Sequence, residues 1–552
     1  MDKINEEIIK VLRKETKLKE IVLEVPPNPE MGDYAYPCFS LSKVFKKNPA
    51  EIAQDLAKKI MLSRVINKIE VDGPYLNFFV SKDELSKDIL SEIIKNKKYG
   101  SLGLGKKKKL IVEHTSINPN ASPHVGRARN ALIGDSIVRI LKFQDYDVET
   151  HYFVNDVGKQ IAMLILGSYG KKKVSFDDLL TLYVKINEKV EKNPELEKKV
   201  FELLNKLEKG DNDIRKRFRE IVDICIKGQN KIFSDLGIEY DKFDYESDYL
   251  WSKKTDDILK KLEKTGKLFT DEENRKVLNQ EEFKLAMKAP YLVLTRSDGT
   301  SLYPLRDLAY HENVKKGDSV LVLGEDQKLY FQQVKAALEL MKHPTPQPVF
   351  YSFVLLQEGK MSTRKGTVVL LEDFMKEALE KAKKEIKKRH GSFSSDNAKK
   401  IAYGAVKYAI LKVSSEKNVV FNWEHALNFE GDTGPYLQYA YARICSIMKK
   451  DKSKIDSNLD FSLFKEKEEV ELIKLLGNMP SVIKDATEQL KPHLISGYLY
   501  SLSSSFSVFY NACPVLKAEK DLKKARLLLI ECVRRVLKNG LELLGIEVLE
   551  HM

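Results

Sequence analysis

The spacing of apolar residues changes along the chain, and each change marks an element. Leu110-Ile111-Val112 is a short unbroken apolar run, as a strand buried on both faces requires. From Val125 to Phe143 apolar residues recur at three- and four-residue intervals, with Ala128, Leu132, Ile137 and Leu141 on one face, which predicts a helix. Val148 to Val154 then alternates and predicts a second strand. Strand, helix and strand in succession form a βαβ unit, whose usual home is a doubly wound parallel (Rossmann-type) sheet with ligand-binding loops at the carboxyl ends of its strands.

The flanking patterns extend this α/β reading to the whole chain. Residues 1–105 read as an α+β unit, with a helical start, the turn Pro26-Pro27-Asn28-Pro29, a lysine-rich helix near Ala50 to Ile60 and a strand Tyr75 to Val80. Residues 106–170 carry the first half of the parallel sheet. Residues 171–285 are rich in lysine and glutamate with Leu179, Leu182, Val184 and Ile186 at close spacings, and predict a helical insertion. Strand-like runs at Tyr291 to Leu294, Ser319 to Leu323 and Val349 to Leu356 are expected to complete the sheet over 286–370. After a connecting segment, 371–399, the pattern is helical through 400–552, ending in the stripe Leu529, Val533, Val536, Leu537, Leu541 and Leu544.

At 552 residues the chain is long enough for about three or four domains of roughly 150 residues. Its 43% hydrophobic and 32% charged residues exclude a disordered chain, and the net charge of +13 draws polyanions without by itself selecting nucleic acid. The five cysteines, Cys38, Cys225, Cys445, Cys513 and Cys532, are scattered and never form a C-x-x-C pair. They indicate neither a disulfide framework nor a zinc site, and no metal ligand set is expected. Met1 to Leu12 lacks the apolar core of a signal peptide, and no stretch approaches ~18 apolar residues, so a cytoplasmic protein without membrane attachment is expected.

The chemistry lies between the first strand and its helix, in Glu113-His114-Thr115-Ser116-Ile117-Asn118-Pro119-Asn120-Ala121-Ser122-Pro123-His124-Val125-Gly126-Arg127. Gly126 lets backbone approach a ligand, and the helix that follows offers free N–H groups to an anion, which suits nucleotide phosphates. A lone histidine and glycine would more commonly make only a cap and a turn. Downstream, Lys360-Met361-Ser362-Thr363-Arg364-Lys365-Gly366 follows a strand. A cationic loop there can fold over a triphosphate and neutralise charge on departing pyrophosphate, although alone it would read as a solvated basic turn.

Together these two elements resemble the H-I-G-H and K-M-S-K-S signatures of class I aminoacyl-tRNA synthetases. The arginyl family in particular is matched by S-x-N-P-N before His124, Tyr303 to Asp307 as Y-x-x-x-D, M-S-T-R-K-G, and Gly431 to Ala440 as G-D-T-G-P-Y-L-Q-Y-A. The resemblance implies arginine activation by ATP with Mg2+ and transfer to the 2′-hydroxyl of the terminal adenosine of tRNA(Arg), typically with tRNA needed even for activation. It assigns Glu113, Tyr303 and Asp307 to the guanidinium, and Asn118 and Gln333 to the α-amino and carboxylate end. His124, Gly126, Arg127, Lys360 and Met361 fall to ATP, and Ser362, Arg364 and Lys365 join them in catalysis. A planar cation with five donors is best read by such carboxylates, and Tyr303 and Asp307, four apart, share a helix face.

Three positions depart from the family pattern: Arg127 replaces its second histidine, Thr363 its second lysine, and Ala121 a lysine often found before the histidine motif. Lys360 is then the first candidate among the remaining cations. The resemblance makes the terminal helical domain an anticodon-binding bundle, with Tyr436, Tyr439 and Arg443 as candidates to stack on bases, and makes the first domain a reader of tRNA through Asn77 and Phe79. For any one of those aromatic residues a place in the buried stripe of its helix is as good a reading, and either Phe78 or Phe79 must be core. A monomer is expected. The rival readings are a catalytically silent tRNA-binding paralogue, for which Arg127 and Thr363 give some footing, and an adenylyltransferase that acts without RNA.

Overall fold

The structure is a computed structural model describing residues 2–552 except 25, 27, 172, 315–316, 357–368, 391–393 and 452–458. In the first unit β1 (Tyr34–Pro37), β2 (Ile66–Asp72) and β3 (Tyr75–Val80) form an antiparallel sheet of order β1-β3-β2. Helix Pro49–Lys59 packs on it and begins where Asn48 accepts from the Ala50 N–H and Pro49 takes the first turn, a position that needs no N–H. Of the two candidate aromatics Phe78 is the core residue, whereas Phe79 is half-buried under the Lys68 ammonium, 5.0 Å from its ring.

The parallel sheet starts at β4 (Lys109–Glu113) and β5 (Asp147–Val154), joined by helix Val125–Phe143. It gains an edge at β6 (Lys242–Tyr245) after three insertion helices, Phe176–Lys192, Pro194–Glu208 and Asn212–Asp235, which share a hydrophobic core with helix Lys159–Ser168 and the end of β5. The sequence reading placed β6 inside the helical insertion. Four partly exposed residues at a sheet edge carry no apolar run by which periodicity could find them.

The chain then forms a small antiparallel sheet of β7 (Leu268–Thr270), β8 (Lys276–Asn279) and β9 (Tyr291–Val293). β9 was expected in the parallel sheet, but only its Leu292 is buried, and a strand with one wet face fits an antiparallel pair. β10 (Ser319–Gly324) and β11 (Gln347–Tyr351) complete the parallel order β11-β10-β4-β5-β6, which reverses direction between β4 and β10. The run expected as one strand to Leu356 breaks at Ser352-Phe353, and β12 (Val354–Leu356) pairs instead with β13 (Val419–Phe421), a strand within the otherwise helical terminus. The described residues of 400–552 are otherwise predominantly helical.

The joint between sheet and terminus is riveted by Arg129. Its fully buried guanidinium donates to the carbonyls of Ser352 (2.7 Å) and Ser414 (2.8 Å), so one residue of helix Val125–Phe143 holds the entry to β12 and the segment before β13. Arg129→Met keeps the volume but orphans both carbonyls, and is expected to lower unfolding free energy by about 2–4 kcal/mol, measured by urea denaturation.

Candidate functional site

A cavity of about 400 Å³ opens over the carboxyl ends of β4, β5 and β10, at the point where the sheet order reverses. Open parallel sheets bind ligands at such a point because the loops on either side of it diverge. Glu113 closes β4 and faces this space, as do Asn118, Arg127, Tyr303 and Asp307. The turn that aims Glu113 and Asn118 into one cavity holds Thr115 and Ser116 at φ of 72° and 41°, costly for residues with a Cβ. Asn130, one helical turn beyond Arg127, stabilises it by accepting from the Thr115 N–H (2.6 Å) while donating to the Val322 carbonyl of β10 (2.8 Å).

Each of the two facing carboxylates is oriented by a phenol. Tyr310 donates to Glu113 Oε2 (2.9 Å) and also lies 3.1 Å from Asp244 Oδ2, and Tyr330 donates to Asp307 Oδ2 (2.6 Å). Burial, with the neighbouring carboxylates adding to it, holds both phenols well above their ordinary range, so they remain donors. Glu246 also lines the cavity, but its charge is met by buried Arg306 (2.7 Å). Arg306, adjacent to Asp307 in sequence, is thus engaged by Glu246.

Sequence reasoning missed Tyr310 and Tyr330. Tyr310 carried a usable signal, since 303, 307 and 310 repeat at four and three residues and so share one helix face. Tyr330 carried none, because a buried aromatic in an amphipathic helix reads as core. Gln333 is not brought to the cavity: its amide donates to the Tyr291 carbonyl (3.5 Å), while Gln327 lines the space instead.

At the other end of the cavity stand His124 and Arg127. His124 caps helix Val125–Phe143 with extended backbone and no side-chain cap bond, and its Nδ1 is buried without a hydrogen-bond partner among the described residues. Burial, assisted by the Arg127 charge, pushes its imidazole from 6.5 down to about 4, so the ring is neutral at neutral pH. Fully buried His114 is pushed down to about 3 by burial alone. Depressed histidine values mean that the unfolded chain takes up protons first, so stability falls as pH drops from 6.5 toward 4. The His124 Cε1 proton resonance is accordingly expected to titrate near pH 4 rather than 6.5 in an NMR pH series.

Lys360, Met361, Ser362, Arg364 and Lys365 lie outside the described residues. The described residues on either side of that segment converge on the histidine turn. Val354 of β12 lines a cavity of about 230 Å³ with His124, Gly126, Arg127 and Asp326. Past the segment, Leu370 bridges to His124, and the Val125 N–H donates to the Val369 carbonyl (3.1 Å).

The RNA candidates are dispersed. Asn77 is buried in β3, and Tyr436 is half-buried, 3.0 Å from the Ser507 hydroxyl. Arg443 stacks between Tyr439 and Tyr510, 4.6 and 5.0 Å from their rings, and donates to the Tyr439 hydroxyl (2.7 Å).

The family described as "tRNA synthetases class I (R), catalytic domain" matches residues 89–423, which contain the whole of this site. The arginine–tRNA ligase of Methanocaldococcus jannaschii is 40% identical, covering 98% of this chain and 97% of its own. The chain belongs to the arginyl-tRNA synthetase family. An arginyl-tRNA synthetase N-terminal domain matches residues 1–80 and a DALR anticodon-binding domain residues 437–552. The arginine–tRNA ligase of Clostridium botulinum is 37% identical, covering 98% of this chain and 97% of its own. Among solved structures, the arginyl-tRNA synthetase of Thermus thermophilus superposes with a TM-score of 0.82 at 28% identity, covering 99% of each chain. That of Plasmodium falciparum shares the fold, with a TM-score of 0.80 at 21% identity over 100% of this chain and 99% of its own. Membership of the arginyl-tRNA synthetases makes this chain an ATP-consuming enzyme that attaches arginine to transfer RNA. Among the described residues no helix is long and apolar enough to cross a membrane.

Proposed function

We propose that the cavity at the sheet reversal binds arginine with its guanidinium between Glu113, Asp307 and Tyr303 and its carboxylate toward His124 and Arg127. The observation that carries this reading is that two carboxylates from distant stretches face one cavity, each oriented by a buried tyrosine hydroxyl. Asn118 lines the same cavity and would meet the α-amino end; Gln327 is better placed than Gln333 to assist it. Acceptors fixed before binding cost no rearrangement, and an uncharged analogue would forfeit the charge-assisted hydrogen bonds to both acids, which can discriminate by ~10⁴ or more.

ATP is placed in the neighbouring cavity between Gly126 and Val354. The Arg127 guanidinium has no hydrogen bond or ion pair among the described residues and would meet phosphate oxygens, while neutral His124 would donate to them without repelling Arg127. Magnesium would arrive on the ATP phosphates, where one or two carboxylates suffice, and Asp326 lines both cavities. An arginine carboxylate oxygen attacks the α-phosphorus, pyrophosphate leaves, and the cations absorb the charge that develops on it. The terminal ribose hydroxyl of tRNA then attacks the arginyl carbonyl and AMP departs. Lys360, Ser362, Arg364 and Lys365 are assigned to the same phosphates on the resemblance of their motif alone.

We place Asn77, Phe79, Tyr436, Tyr439 and Arg443 on the tRNA side. Of these, half-buried Phe79 and the Arg443 stack are best disposed to receive a base. We retain the division into 1–105, 106–170, 171–285, 286–370, 371–399 and 400–552, and a cytoplasmic monomer. Purified protein given each amino acid in turn with ATP and total tRNA should charge arginine alone. Charging of lysine or glutamate instead, or of nothing, would refute the assignment.

A further inference from the structure

Behind Glu113 lie charged groups that line neither the cavity proposed for arginine nor that proposed for ATP. The strand register brings them together. Glu113 of β4 stands beside His151 of β5, and His151 beside Lys242 of β6, while Phe153 stands beside Asp244. Side chains alternate between the two faces of a strand, so Glu113, Glu149, His151, Phe153, Lys242 and Asp244 share one face. Helix Tyr303–Val314 meets that face at Tyr310, whose ring centroid lies 4.8 Å from that of Phe153.

Tyr310 has one hydroxyl proton and two carboxylates within reach, Glu113 Oε2 at 2.9 Å and Asp244 Oδ2 at 3.1 Å. Whatever else satisfies Asp244 therefore decides how firmly the hydroxyl holds Glu113. A second donor meets the same Asp244 oxygen, since Nδ1 of buried His151 lies 2.5 Å from it. His151 Nε2 lies 3.3 Å from Glu149 Oε2, and Glu149 is paired in turn with Lys242 (2.7 Å).

Both nitrogens of the His151 ring thus face carboxylates. A ring protonated on both meets each acid with a donor, whereas a neutral ring would turn a lone pair toward one of them. Burial lowers the His151 imidazole, but the hydrogen bonds and charges of Asp244 and Glu149 outweigh it and leave the group raised above 6.5. The cation so held answers a specific need. An Asp244 without a counter-charge would draw the phenolic proton away from Glu113 and repel the Glu113 charge, which favours protonation of that acid. Glu113 lines the cavity and Asp244 does not, so a charge on His151 leaves the negative charge with the acid that faces the ligand.

Resting on the function proposed above, we propose that His151 is a positioning residue for arginine recognition: by meeting Asp244 it leaves the Tyr310 hydroxyl to Glu113, which is thereby held ionised toward the guanidinium. The edge strand β6 gains a part in selecting arginine through a residue that does not line the cavity.

Charging by the full chain, with arginine and ATP varied in turn, tests this role. His151→Gln removes the cation and is expected to raise the arginine KM about tenfold, the scale of one hydrogen bond to a charged group, while the ATP KM stays within about twofold. Adding Asp244→Asn removes the charge left without its partner and should recover most of the loss. In a Tyr310→Phe background, which has no hydroxyl to contest, His151→Gln should add little. An unchanged arginine KM, equal rises in the arginine and ATP KM, or a double variant no better than His151→Gln alone would overturn the inference. If His151→Gln does not fold, the wild type decides: in an NMR pH series His151 is expected to titrate above 6.5, and titration below 6.5 would overturn it. An arginine KM indifferent to both Asp307→Asn and His151→Gln would refute the reading of the cavity itself, whereas indifference to His151→Gln alone overturns only its positioning role.

Discussion

Replacing Asp307 by asparagine is expected to raise the arginine concentration for half-maximal charging by about 100-fold or more, because breaking one partner of a buried hydrogen-bonded charge pair costs about 2–5 kcal/mol. The substitution keeps the volume and leaves an oxygen for Tyr330, so packing is little disturbed and the loss reports the missing charge. The ATP requirement should stay within about twofold, since the cavity proposed for ATP lies between Gly126 and Val354 and Asp307 does not line it. Arginine and ATP KM values from the same preparation check this. Equal changes in both would mean that Asp307 holds the fold and not the guanidinium.

The second large effect is expected at Arg127. Arg127→Ala removes a permanent cation from the place where the cavities proposed for arginine and ATP meet, and where the proposed mechanism develops charge on the leaving pyrophosphate. Removing one such donor characteristically costs about 10²–10³ in kcat. Because the interaction strengthens as the α-phosphorus bond breaks, kcat should fall far more than the arginine KM rises. Arg127→His, which restores the residue the wider family carries, should recover most of the rate. Single-turnover measurement of arginyl-adenylate formation separates this step from tRNA transfer, and an unchanged rate in Arg127→Ala would remove the residue from the chemistry.

The parts of the fold that could be read from the sequence were those written as long periodic runs. Helix Val125–Phe143 shows a stripe of apolar residues over five turns, and β4 and β5 bracket it, so the nucleotide-binding half was visible before any coordinates. β6 and β13 were invisible because strands of four and three residues, formed by pairing with distant segments, have too little length to show a period. β9 was seen but placed in the wrong sheet, because pairing is decided by neighbours and not by the strand's own composition.

At the site the same distinction holds. Glu113, Asn118, Tyr303 and Asp307 were legible through the resemblance of their motifs to the arginyl family, and all four line one cavity. The tyrosines that orient the carboxylates were not, since Tyr310 and Tyr330 are buried aromatics whose hydroxyl partners only the folded structure brings near. Gln333 fared worst. A position in an amphipathic helix does not say which way a surface amide turns, and here it turns to the Tyr291 carbonyl. The depression of the His124 imidazole comes first from burial, which sequence does not display.

A crystal structure with arginine bound is the shortest route to a decision. The guanidinium nitrogens should lie within hydrogen-bond reach of the Glu113 and Asp307 carboxylates, with the arginine carboxylate turned toward His124 and Arg127. Arginine found beneath helix Phe176–Lys192, or reversed so that its guanidinium faces Arg127, would contradict the recognition of arginine by this pair of acids.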